Sequence, residues 1–198
     1  MFTVTFERRF QIWRAAFEDD SRPVLRGVYV DPLGFLVAAN GYILAAVPCA
    51  IDGEMPTWDI IIPAFWLQEA DTWLKASENL VVSIDEDTKR ARIEWPNITI
   101  EGPLIPGTYP KWKELIPTPS KEAGGIINLD SDLLLKLSDA LDCPKGQTLS
   151  LFPSDKPTDP VLVYHDGAVG AIMPMFVGGN IKAELGEVLK RIRGEKLE

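Results

Sequence analysis

Few side chains in this chain are spaced for covalent or acid–base chemistry. The single histidine, His165, stands beside Asp166-Gly167, a pair that reads as a hairpin turn, where an imidazole is expected to be solvated rather than catalytic. No Ser or Cys has the sequence context of an activated nucleophile. The two thiols, Cys49 and Cys143, are far apart in sequence and read as reduced, partly buried residues. Asp85-Glu86-Asp87 has the acid density of a cation site, but Lys89 and Arg90 follow at once, and a charged hairpin is the better reading. Neither a glycine-rich phosphate loop nor a zinc-type spacing occurs. The chain is therefore expected not to be an enzyme and to use no cofactor and no metal.

Binding is the chemistry the residues suit better. Arg8, Arg9, Arg14, Lys75 and Lys136 fall on segments with helical periodicity, where cations can attract phosphates without reading bases. Against them stand Glu18, Glu69, Asp71, Asp132 and Asp139, so these faces sum to near neutrality. The net charge of −9 argues against a protein coated in positive potential, though a local basic lining is compatible with it. No apolar run approaches a membrane span, and the first residues lack a basic segment followed by an apolar one. A cytoplasmic protein with no membrane partner is expected.

The elements that must position these residues come as a repeat: a short strand, an amphipathic helix and three strands, three times over. In the first, residues 2–6 alternate as a half-buried strand and residues 8–19 carry Phe10, Trp13 and Phe17 on one helical stripe. Strands are predicted over 24–30, 35–39 and 42–50, with Asp31-Pro-Leu-Gly34 and Asn40-Gly41 as turns. In the second, a strand over 58–62 leads through Pro63 into a helix with Trp66, Leu67, Ala70, Trp73 and Leu74 inward. Strands over 80–85, 91–95 and 98–104 follow. The third has a strand over 125–129 and a helix capped by Asp130 or Ser131, with Leu133, Leu134, Leu137 and Leu141 inward. Its strands are placed over 148–152, 160–165 and 168–173. With 198 residues, 46% of them hydrophobic, a sizeable core is affordable.

Four collinear segments carry a family resemblance. Leu104-Ile-Pro-Gly-Thr-Tyr-Pro-Lys-Trp-Lys-Glu-Leu-Ile-Pro117 resembles a signature of bacterial DNA sliding clamps, the beta subunit of DNA polymerase III, with Pro106 where the family has Asp. Arg22-Pro-Val-Leu-Arg-Gly-Val-Tyr-Val30 is similar to the clamp's Arg-x-x-Leu-x-Gly strand. Ala38-Ala-Asn-Gly-Tyr-Ile-Leu-Ala45 is similar to its Ala-Thr-Asp-Gly-His-Arg-Leu-Ala, with Ala39, Tyr42 and Ile43 replacing Thr, His and Arg. Ala171-Ile-Met-Pro-Met175 matches the segment that closes the family's last strand. The matches span roughly residues 1–177 and look like a middle domain followed by the second half of a last domain.

The resemblance implies an α+β DNA-clamp fold of repeated β-α-β-β-β units, with antiparallel sheets and helices on one face. It divides the chain into a complete two-repeat domain (1–104), a linker (105–124), a half-domain (125–177) and a C-terminal helical tail (178–198) that has no counterpart in the family. It further implies a pocket for apolar peptides of a DNA polymerase or other clamp-binding partner, lined by Arg22, Leu44, Pro117, Ala171, Ile172, Met173 and Met175. Double-stranded DNA, bound without sequence specificity, would face the helices. A homo-oligomer follows from the same resemblance: a clamp ring has twelve repeats, which four chains of three would supply. Two functions fit, a processivity factor tethering replication or repair proteins to DNA, and a clamp-derived protein-interaction module that does not encircle it.

Overall fold

The structure is a computed structural model that describes residues 2–7, 9–73, 79–95, 98–117, 127–143, 146–156 and 158–175. Among the described residues, two antiparallel sheets and two α-helices make an α+β fold. The strands are β1 (Phe2–Glu7), β2 (Gly27–Asp31), β3 (Phe35–Ala39), β4 (Ile43–Pro48), β5 (Ala50–Asp52), β6 (Ile60–Pro63), β7 (Asn79–Asp85), β8 (Arg90–Trp95), β9 (Ile98–Pro103), β10 (Ser150–Phe152), β11 (Val161–His165) and β12 (Ala168–Ile172). The helices are α1 (Ala64–Asp71) and α2 (Ser131–Ala140).

The first two repeats trade their opening strands. β1 of the first lies beside β7 of the second, with Val4 opposite Val82, and β6 of the second lies beside β2 of the first, with Tyr29 opposite Ile61. One sheet therefore runs β5-β1-β7-β8-β9. The other runs β10-β11-β12-β4-β3-β2-β6, so the third repeat extends the first by pairing β12 with β4. The main core lies between these sheets and the helices. It takes Phe2 and Val4 of β1, Val28 of β2, Ile60 and Ile62 of β6, Trp66 and Leu67 of α1, Leu137 and Leu141 of α2, and Val161 and Ile172 of the third repeat. Buried Val, Leu, Ile and Phe side chains such as these each stabilise the fold by about 1.5–3 kcal/mol relative to exposure.

Local chemistry explains most elements. Pro63 is the residue before α1, where a missing N–H costs no helical bond. The Asp130 carboxylate accepts from the Asp132 and Leu133 amides and caps α2. Gly41 sits at φ +90 in the turn between β3 and β4, which its missing Cβ permits.

The first expected helix is a correction. Residues 9–19 form only a single 3₁₀ turn, Ile12–Ala15, and Ala16 is already extended, while Arg8 lies outside the described residues. Phe10, Ile12, Ala15 and Ala16 are all buried, a pattern that no single helical stripe can satisfy, and the Phe17 amide is drawn to the Leu25 carbonyl at 2.9 Å. Pro23–Arg26 is likewise a 3₁₀ turn and not the start of a strand, because Pro23 fixes a helix-like φ. The strand expected over 42–50 breaks at Cys49, after which β5 joins the other sheet. Among the described residues, 127–129 form no strand, and 125–126 lie outside them. His165 is buried, not solvated, with Nδ1 3.3 Å from the Thr148 carbonyl. Leu74 and the C-terminal helical tail expected over 178–198 also lie outside the described residues.

Candidate functional site

The seam between β4 and β12 gathers part of the expected pocket. Leu44 pairs directly with Ala171, and Ile43 with Ile172. Side chains alternate along a strand, so the two pairs face opposite sides of the sheet. Leu44 and Ala171 join Val37, Ala39, Ala46 and Ile61 in a second apolar cluster on the face away from the helices. Ile172 corrects the expectation: it is wholly buried in the main core and lines no surface shared with the others. Beyond β12 the Met173 amide donates to the Tyr42 carbonyl at 2.8 Å and the Met175 amide to the Asn128 carbonyl at 2.8 Å. Both methionine side chains are exposed, as is Tyr42 at 61%.

Arg22 stands at the end of this seam. Its guanidinium lies 5.5 Å from the Phe17 ring, and a Cβ on Gly41 would meet its Nη1 at 3.0 Å. Arg22, the Gly41-Tyr42 turn and Met173 thus form one neighbourhood with a cation, an aromatic ring and a thioether. Pro117 is half-buried just after the 3₁₀ turn Trp112–Leu115, at the far end of the described part of the linker.

Residues 105–117 are packed onto the sheet and are not a loose spacer. The Ile105 amide donates to the Ile61 carbonyl at 2.9 Å, and the Tyr109 amide to Asp59 Oδ2 at 2.8 Å. The Tyr109 ring stacks on Tyr29 at 5.0 Å, and Tyr109 and Trp112 are both buried in the second cluster. Asp31, 2% exposed, receives Trp112 Nε1 at 2.9 Å, Lys113 Nζ at 2.9 Å and the Leu33 amide at 2.9 Å. Burial pushes this carboxyl up, but the Leu33 amide, Lys113 and the Trp112 indole together outweigh it and hold the pKa below the ordinary value. The seam therefore has an apolar floor, with exposed methionine and tyrosine side chains and the Arg22 guanidinium near its end.

The opposite, helix-bearing side carries the expected DNA-facing cations, and their charges are already matched. Arg9 bridges Glu7, Asp142 at 3.1 Å and Asp166 at 2.9 Å. The bond to Asp166 is the largest influence raising its pKa further, with Glu7 and Asp142 adding to it against the opposing effect of burial. Arg14 lies 3.4 Å from Asp139, and Lys136 lies 2.7 Å from Glu18. Arg26 pairs with Asp20 on the same side. A cleft of about 590 Å³ opens here between Trp13, Phe17, Pro63, Phe65, Arg14 and Lys136. Arg8 and Lys75 lie outside the described residues.

Sequence reasoning missed Asp31, Lys113 and Tyr109. Asp31 was read as a turn residue only. The readable signal is Trp112, an indole donor that needs an acceptor once the segment packs down, with the ammonium of Lys113 beside it. The acids around Arg9 were missed because Asp142 and Asp166 are distant in sequence.

No protein-family model matches the sequence, and no curated protein matches it. Solved structures do match. DNA polymerase III subunit beta from Borrelia burgdorferi, in complex with a natural product, superposes with a TM-score of 0.66 at 15% identity, over 90% of this chain and 65% of that one. The sliding clamp from Bartonella birtlesii, bound to griselimycin, gives 0.64 at 16% identity, over 88% and 66%. The DNA polymerase sliding clamp from Bacillus subtilis gives 0.62 at 17%, over 88% and 64%. The chain has the sliding-clamp fold and spans about 65% of the length of the first of these structures.

Proposed function

We propose that this clamp-type chain is a tethering scaffold that holds a partner protein by a short apolar peptide laid across the β4–β12 seam. The observation that carries the reading is the direct pairing of Leu44 with Ala171 beneath the pinned linker, with Met173 and Met175 exposed immediately beyond it. The polymerase beta subunits that share the fold support a partner among DNA polymerases and other replication or repair proteins. In that setting the chain is a processivity factor and no chemistry of its own is required.

A second reading rests on a separate observation. The pairing of Arg9, Arg14 and Lys136 with carboxylates leaves the helix side with little charge to offer a phosphate backbone. It favours a protein-interaction module that binds partners without closing around DNA. Both readings predict that a fluorescent peptide carrying Leu and Phe binds the chain, and that Met173→Glu with Met175→Glu weakens it at least about tenfold, near 1.4 kcal/mol. Unchanged affinity in that variant sinks both. Retention on closed circular DNA that is lost on linearisation selects the first reading, and no retention on either selects the second.

A further inference from the structure

The third repeat is half of a unit whose complete form is present in the same chain. In the first two repeats each opening strand leaves its own repeat and lies beside the first of the three strands of the other: β1 beside β7, and β6 beside β2. Asn128 stands three residues before the start of α2, as Ile61 stands three residues before the start of α1. Their carbonyls are used alike, Ile61 accepting the Ile105 amide at 2.9 Å and Asn128 the Met175 amide at 2.8 Å. The other edge of β6 is taken by β2. Among the described residues, the matching edge of 127–129 has no strand beside it, and β10, the counterpart of β2, has β11 on one side only. Apolar side chains are exposed on the elements of this half-unit: Leu151 is 41% and Phe152 40% exposed on β10, and Leu135 is 62% exposed on α2.

We infer that a second copy of this chain completes the half-unit, residues 127–129 of each protomer lying along β10 of the other about a two-fold axis. The occupant must offer a segment that precedes a helix and an open first strand in return. This chain carries both halves, so the contact is self-complementary and closes. It continues, between two molecules, the strand trade already made within one. The two α2 helices then lie side by side, as α1 lies beside the first 3₁₀ turn within the complete unit, and Leu135 is the exposed apolar side chain that each brings. An open strand edge beside exposed Leu and Phe is otherwise a site of uncontrolled pairing. The inference rests on the edges of β10 and 127–129 and not on the seam's side chains, although the Met175 amide and the Asn128 carbonyl join the two.

The test uses the full chain. Sedimentation equilibrium is expected to give a dimer or a multiple of it. In a Cys49→Ser, Cys143→Ser background, Asn128→Cys with Leu151→Cys treated with a short thiol cross-linker should give a covalent dimer on a denaturing gel. Leu135→Glu should weaken self-association at least tenfold while the peptide of the preceding section still binds. A monomeric full chain overturns the inference. A dimer in which positions 128 and 151 do not cross-link between chains overturns it as well. If Leu135→Glu fails to fold, the cross-link in the folded double-cysteine chain decides alone.

Discussion

Replacing Asp31 by Ala tests how firmly the linker is fixed over the sheet. The carboxylate is buried and accepts from the Trp112 indole, the Leu33 amide and Lys113. Its loss leaves a buried indole N–H without a partner, about 1–3 kcal/mol, and removes the turn bond to Leu33, about 1 kcal/mol. Lys113 is half exposed and stays hydrated, so its pairing adds only about 0–1 kcal/mol. Asp31→Ala should therefore cost about 3 kcal/mol by denaturant unfolding followed by circular dichroism, and Asp31→Asn, which keeps an acceptor oxygen, about half that. Trp112→Phe should cost about 1–2 kcal/mol, and the double variant with Asp31→Ala should cost at least about 1 kcal/mol less than the sum. The pH dependence has a definite sign. Because the folded pKa lies below the unfolded value, the contribution is fully present above about pH 4 and is lost as pH falls through the folded pKa. Asp31→Asn should flatten that acid limb. A loss under about 1 kcal/mol for Asp31→Ala, or strict additivity with Trp112→Phe, refutes the reasoning.

Two further outcomes follow from close contacts and burial. A Cβ on Gly170 would sit 2.8 Å from Leu137 Cδ1 and 2.9 Å from the Leu44 carbonyl oxygen, so Gly170→Ala should lower unfolding stability by about 1–3 kcal/mol through overpacking where α2 crosses the seam. Burial, with Asp31 adding to it, pushes the Cys49 thiol up to about 12, so its alkylation at mildly alkaline pH should be at least about tenfold slower in the folded chain than in denaturant, as read by mass spectrometry.

Elements with one clear signal were legible. β3 has the predicted bounds, β7, β8 and β9 differ by a residue at an end, and the Asp130 cap of α2 stands where its side chain chemistry put it. The first helix failed because Phe10, Trp13 and Phe17 matched a helical period while Ile12, Ala15 and Ala16, also buried, did not; the dense core around them overrode the stripe. The trade of opening strands was hidden because alternation tells which face of a strand is buried but not which strand lies beside it. The same alternation did contain the correction at the seam: neighbouring residues Ala171 and Ile172 cannot both face one pocket. Family likeness grouped them, and strand geometry separates them. The charges of Arg9, Arg14 and Lys136 were legible only as a near-neutral sum, since pairing depends on partners brought together by the fold.

The junction of β4 with β12 sets a schedule for making the molecule. Leu44 emerges from the ribosome long before its strand partner Ala171. Throughout translation the nascent chain carries a bare β4 border, flanked by Ile43 and Leu44, that the later strand must seal. Chains released before residue 172 should be the ones that chaperones retain and that precipitate when chaperones are scarce, whereas those released after it should not.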